Sequence, residues 1–249
     1  MKKYLALLIV PVLFFVASCT DSTTDPVVEQ TTGSVFLQSS PSNAIILLDG
    51  VDAQKETPDT LKNISSGDHQ ITLRYEGYYD SIFTVKVTAN TVINWSPVNL
   101  RPKTTAYGPI KIWETTGTTA SQPSGLILST GTTASSSSAA IDLLYYSNSA
   151  SVTYELRSSD LITTTARKTR FKASGVKDVN DGVTAPTYDA ASWTNKIPDR
   201  DTTQYYFVYD NDQHYAKVKV VSYGDNSGQE AYVNVQIIYN KAYGEKRFK

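Results

Sequence analysis

Thiol chemistry is almost missing from this sequence: its 249 residues include one cysteine, Cys19. A lone cysteine allows no disulfide within the chain and no cysteine cluster for a structural metal. The one methionine is Met1, so no internal thioether is available as a ligand. The two histidines are His69 and His214, and any imidazole base or ligand must be one of these. Charge is sparse as well, with 23 basic and 24 acidic residues and a formal net charge of −1. That balance gives no basic footprint for a nucleic-acid partner. After the first twenty residues no apolar run reaches membrane length, and no Gly-rich phosphate loop, heptad pattern or internal repeat is present. What is abundant is tyrosine, 17 residues of it, with many Ser and Thr, a composition suited to β-sheet.

The N-terminus reads MKKYLALLIVPVLFFVASC. Lys2 and Lys3 precede an apolar stretch from Tyr4 to Ala17, shorter than the roughly 20 residues a spanning helix needs and interrupted by Pro11. Residues 1–18 are expected to be an export signal. Val16-Ala17-Ser18-Cys19 resembles the lipobox of bacterial lipoproteins. The resemblance implies cleavage before Cys19 and attachment of a diacylglycerol thioether, usually with a third chain such as palmitate. Two or more acyl chains anchor stably, at about 0.8 kcal/mol per buried CH₂. The expected location is therefore the bacterial cell envelope, and Thr20 beside the cysteine favours the outer membrane. Residues 19–32 are polar and contain Pro26, as in a flexible tether.

Residues 33–101 alternate with a period of two: Val35 and Leu37, Ile45 and Leu47, Ile71 and Leu73, then Phe83, Val85 and Val87. Turn clusters separate these runs, among them Asp49-Gly50, whose positive φ angles suit a tight hairpin. Short strands with such turns predict a small all-β domain. Ser40-Pro41-Ser42-Asn43-Ala44, the Ile-Leu-Leu-Asp-Gly segment ending at Gly50, Thr57-Pro58, Leu61, Gly67-x-His69 and Glu76-Gly77-Tyr78 together resemble a PEGA domain. That resemblance implies a β-sandwich-like module of envelope proteins without catalytic residues of its own. Asn43 stands where the family usually has glycine, and asparagine is the side chain that best tolerates a left-handed turn. His69 is expected to pack against or cap a strand.

Arg101–Thr105 reads as a short linker to a second domain, residues 106–249, large enough for its own core. Its strand signals are Ile110–Trp113, Gly125–Leu128 and the apolar run Ala139–Tyr146, with a low-complexity bridge, STGTTASSSS, between the last two. Thr165–Ala173 has no period and is expected to be helical or irregular. Thr203–Tyr209, His214–Val221 and Glu230–Tyr239, joined by short polar turns, predict an antiparallel meander. The whole chain is thus expected to be all-β: a small PEGA-type β-sandwich followed by a larger antiparallel β-domain.

The candidate sites are few. Asp178-x-Asn180-Asp181-Gly182 has the start of a calcium loop but lacks its later bidentate acid, so a plain Asx turn is expected and no metal site. No serine sits in a nucleophile motif, and no catalytic residue is assigned. The stretch Tyr205–Val220, following a segment ending in Asp-Leu-Leu-Tyr-Tyr, resembles the HmuY-like lipoproteins, tethered all-β proteins that take up haem. The resemblance makes His214 and Tyr215 ligand-binding candidates and haem the candidate cofactor. Those proteins use two axial side chains, however, and this domain has a single histidine; tyrosine is the residue left to serve as the second. In a strand, His214 would share its face with Ala216, Val218 and Val220, as one edge of an apolar surface. The expected role is a non-enzymatic, lipid-anchored surface module contacting glycan or protein through tyrosine-rich faces, with the membrane as partner through Cys19. Haem or small-ligand capture is the alternative. An envelope hydrolase is the third reading, since spacing alone does not tell which carboxylates a fold brings together.

Overall fold

Along Thr32–Leu37 (β1), Val35 and Leu37 are fully buried and their neighbours are not. Alternate side chains of a strand point to opposite faces, and the computed structural model is built of such strands: the fold is all-β, with no α-helix among the described residues. The structure describes residues 31–116, 119–148, 153–163, 166–198, 200–224 and 230–248. The expected signal segment, Cys19 and most of the expected tether lie outside them.

After β1 come β2 (Ser39–Ser40), β3 (Ile45–Leu48), β4 (Val51–Glu56), β5 (Asp59–Ser65), β6 (Gly67–Arg74), β7 (Ser81–Val87), β8 (Val92–Asn94) and β9 (Val98–Asn99). A three-stranded sheet ordered β5-β1-β8 packs on a four-stranded sheet ordered β4-β3-β6-β7. Val35, Leu37, Ile46, Ile71, Leu73 and Val85 meet between them. Each such side chain contributes about 1.5–3 kcal/mol when fully buried. The pairings of β1 with β8 and of β2 with β9 are parallel, unlike the remaining pairings.

One expected face is reversed. Ile46, not Ile45 and Leu47, points into the core, and Ile45 is exposed. Four apolar residues in a row carry no alternation, so the ladder decides: Ile46 lies opposite Leu73 and Leu48 opposite Ile71. The turn chemistry is as expected. Asp49 and Gly50 both have positive φ, 50° and 82°, between β3 and β4, and Asn43 holds a φ of 63°.

The second domain contains β10 (Thr104–Trp113), β11 (Gly125–Ile127), β12 (Thr132–Ala134), β13 (Leu143–Asn148), β14 (Thr153–Ser158), β15 (Arg170–Ala173), β16 (Lys196–Ile197), β17 (Tyr206–Tyr209), β18 (Tyr215–Gly224) and β19 (Tyr232–Asn240). Two five-stranded antiparallel sheets, β10-β19-β18-β17-β15 and β12-β11-β13-β14-β16, sandwich Ile112, Leu126, Tyr145, Leu156, Val218 and Val235. The meander is present as β17-β18-β19. Pro109 interrupts the pairing of β10 with β19 at a bulge, as proline does on an edge strand.

Three expectations need correction. The low-complexity bridge contains a strand, β12, turned back on β11 around Gly131. Within Thr165–Ala173, residues 170–173 form β15, because β17 supplies a partner that the local pattern does not announce. Ala139 and Ala140 form a turn before β13 rather than part of it. The expected short linker, Arg101–Thr105, is hydrogen-bonded on both sides. Tyr79 N–H donates to Arg101 O (2.9 Å), Lys103 N–H to Gly77 O (2.8 Å) and Lys241 N–H to Lys103 O (2.6 Å), so both domains hold it.

A further layer covers the outer face of β17 and β18. Val179, Trp193, Tyr205, Phe207, Tyr215 and Phe248 form a second core there, so β17 and the first half of β18 are buried on both faces. The segment 174–198 is the strap over this face. It is fixed by Ser174 N–H to Tyr205 O (3.1 Å), Tyr205 N–H to Val176 O (2.9 Å) and Ala185 N–H to Lys246 O (2.9 Å).

Candidate binding groove

The strap ends by crossing between the two sheets. Phe171 N–H donates to Thr194 O (2.8 Å) and Thr194 N–H returns to Phe171 O (2.9 Å), after which β16 pairs with β14. Strands β15 and β16 are edge strands of their sheets. Beside this crossing lies a groove of about 590 Å³, lined by Lys172, Ala173, Thr194, Lys196, Gln204 and Tyr206, among others. Its wall is mostly apolar. Such walls with a few placed polar groups are the usual make-up of ligand clefts.

Those polar groups are pre-positioned. Lys172 Nζ donates to Ser192 O (3.0 Å), and Lys196 Nζ to Glu155 Oε1 (2.7 Å). Asp201 accepts from Tyr206 Oη (2.7 Å), Gln204 Nε2 (2.8 Å), and both the hydroxyl (2.6 Å) and amide (2.9 Å) of Thr203. Burial raises the Asp201 carboxyl, but these donors outweigh it and hold it down at about 2. Burial and the neighbouring Asp201 push the Tyr206 phenol up, so the donor keeps its proton.

The residues singled out in the sequence sit elsewhere. His214 follows the Asp210–Gln213 turn, where Gln213 adopts a φ of 64°. Its amide donates to Asp210 Oδ1 (2.8 Å), and its Nδ1 lies 2.9 Å from Tyr239 Oη, which also donates to Asp210 Oδ2 (2.8 Å). Tyr215 points to the opposite face of β18, where its buried hydroxyl accepts the Tyr188 amide (2.8 Å). The two candidates are thus not brought together. His69 is bound at both ring nitrogens, to Asp49 Oδ2 (2.7 Å) and to Ser65 Oγ (3.0 Å). Asp178 and Asp181 each form an Asx turn, accepting from the amides of Asn180 and Val183 (3.0 Å each). Tyr205, Tyr206, Tyr215 and Tyr239 are buried. These four tyrosines of the meander are therefore interior rather than a contact surface, whereas Tyr223 in β18 is exposed.

Comparison with known families bears on the first domain alone. The PEGA domain family model matches residues 32–103. Those residues are a PEGA domain. It runs from the start of β1 to one residue before β10, slightly wider than the expected 33–101. A PEGA domain points to a cell-surface or binding-type module. No match to the chain was found among curated proteins.

The groove residues were not foreseen. Lys172, Thr194, Lys196 and Gln204 carry no motif, and the pairing of Phe171 with Thr194 brings the end of the strap beside β15. The one local signal was Asp201-Thr-Thr203, an Asx-turn sequence, which marks a turn but not a site.

Proposed function

We propose that this chain is a non-enzymatic lipoprotein of the bacterial cell envelope, anchored through Cys19, whose second domain binds an envelope glycan. The carrying observation is the groove beside β15 and β16. Its apolar wall suits the flat face of a sugar ring, and Thr194, Asn195, Gln204, Lys172 and Lys196 offer hydroxyl, amide and ammonium partners for hydroxyls. The PEGA domain supports a surface setting, and the lipobox-like Val16–Cys19 supports the anchor.

Retention of the lipid-free chain on purified envelope polysaccharide tests this reading. Ala173 lines the groove and is exposed, so Ala173→Trp should fill it and weaken retention about tenfold, or about 1.4 kcal/mol. Unchanged retention in that variant would sink the glycan reading. Capture of a protein in its place would move the role to protein contact, and release of sugars on long incubation would move it to hydrolysis. A Soret band on adding haem, lost in His214→Ala, would move it to haem capture. In cells, incorporation of a palmitate analogue should disappear in Cys19→Ala.

A further inference from the structure

Lys217 is the third residue of β18, and its side chain is wholly shielded from solvent. Lysine is almost never buried in this way without a partner. Its Nζ contacts Asp181 Oδ1, donates to Val179 O (3.3 Å), and lies 4.6 Å from the Tyr205 ring centre and 5.0 Å from that of Phe248. The carboxyl group of Asp181 is held just as firmly. Val183 N–H donates to Oδ1 (3.0 Å) and Tyr205 Oη to Oδ2 (2.7 Å). An amine and a carboxyl group are thus fixed against each other in an aromatic enclosure, on two segments distant in sequence.

We propose that Lys217 and Asp181 condense into an intramolecular isopeptide bond that fastens the strap to the middle of the sheet. Burial raises the Asp181 carboxyl, but Lys217, the Val183 amide and the Tyr205 hydroxyl together hold it below the ordinary range. A proton passing from Nζ to the carboxylate gives an uncharged amine and acid. The low dielectric of the enclosure lessens the cost of this transfer, because two buried charges carry a desolvation penalty of several kcal/mol per ion.

The Nζ lone pair then attacks Cγ, forming the C–N bond. Val183 N–H and Tyr205 Oη are donors to the two oxygens of the tetrahedral intermediate, the role of an oxyanion hole. The Cγ–Oδ2 bond breaks, and that oxygen leaves as water with the acid's proton and one from nitrogen. Burial and Asp181 push the Tyr205 phenol up, so its proton stays available for relay. Asp181 retains some exposure, which gives the water an exit. The balance is one amide and one water from one amine and one acid, without oxidant or co-reactant. The product removes both charges and ties segment 174–198 covalently over β17 and β18.

Peptide mapping of the full chain purified from its envelope tests the bond whatever the state of the N-terminus. Trypsin does not cut after an acylated lysine, so the digest should contain peptide 178–196 joined to peptide 201–219, one water lighter than their sum. Asp181→Asn should give the same joined pair with loss of ammonia in place of water. Asp181→Ala should release both peptides uncrosslinked. Free 178–196 and 201–217 as the main products of the unmutated chain would overturn the proposal. Because that readout comes from the unmutated protein, a folding defect in any variant leaves it intact.

Discussion

Asp142 is 1 % exposed and yet charged groups converge on it. Its Oδ2 accepts the Leu128 amide (2.8 Å) and its Oδ1 accepts Arg167 Nε (2.7 Å), while Arg167 reaches on to Asp212 (2.6 Å). Burial pushes the Asp142 carboxyl up, against the pull of these donors. Removing one partner of a buried pair leaves the other uncompensated, which costs about 3–5 kcal/mol. Asp142→Ala is expected at the lower end, about 3 kcal/mol, since Arg167 keeps Asp212. Asp142→Asn should cost less because an amide oxygen can still accept from Leu128. Denaturant unfolding of the three proteins measures this, and an Asp142→Ala midpoint equal to that of the parent would contradict the network. In the sequence Asp142 was merely one residue of an apolar run. Lys217 shares a face of β18 with Lys219, and the strap buries it.

Turns illustrate what an element inherits from its own residues and what it inherits from neighbours. Gly131 has a φ of +64°, and a Cβ there would stand 2.4 Å from the Tyr107 ring, which is pinned by its hydroxyl to Ser129 O (2.8 Å). Gly175 has a similar φ of +71° with nothing within 4 Å. A left-handed conformation costs a side chain about 1–2 kcal/mol. Gly175→Ala should therefore lose about 1 kcal/mol, and Gly131→Ala about 2–3 kcal/mol once overpacking is added. Equal losses in thermal or denaturant unfolding would show that Tyr107 yields freely. The hairpins at Asp49-Gly50 and Asp210–Gln213 were legible because positive φ and Asx chemistry act over a few residues. Strand β12 was not legible, since its Thr-Thr-Ala matches a loop in composition and becomes a strand by pairing with β11.

At the scale of the molecule, the junction between the PEGA domain and the second domain carries a pH signature. Arg247 donates to Glu245 (2.6 Å) and Lys103 lies 3.7 Å from it, linking the C-terminal segment to the end of the PEGA domain. Arg247 foremost holds the Glu245 carboxyl down at about 2, from an ordinary 4.5. A depressed folded value means that the stability it contributes is present above pH 4.5 and is lost as pH falls towards 2. Asp201, also held at about 2, acts in the same direction beneath the groove. The melting temperature should therefore drop on acidification through this window, and Glu245→Gln should shallow the drop. An unchanged slope in that variant would remove the junction from the account.

The sequence by itself determined the all-β class, the PEGA domain, the antiparallel meander and the tight turns. The class, the meander and the turns depend on a two-residue period or on backbone preferences set within a few residues, and the PEGA domain on the resemblance of its motifs to that family. Tertiary structure alone decided which of Ile45 and Ile46 faces inward, the parallel pairing of β1 with β8, and the burial of the tyrosine-rich strands. It alone brought Lys172 and Lys196 to one groove and Lys217 against Asp181. Those outcomes come from contacts between segments far apart in the chain, where one strap covering a sheet face turns a charged, half-polar strand into interior.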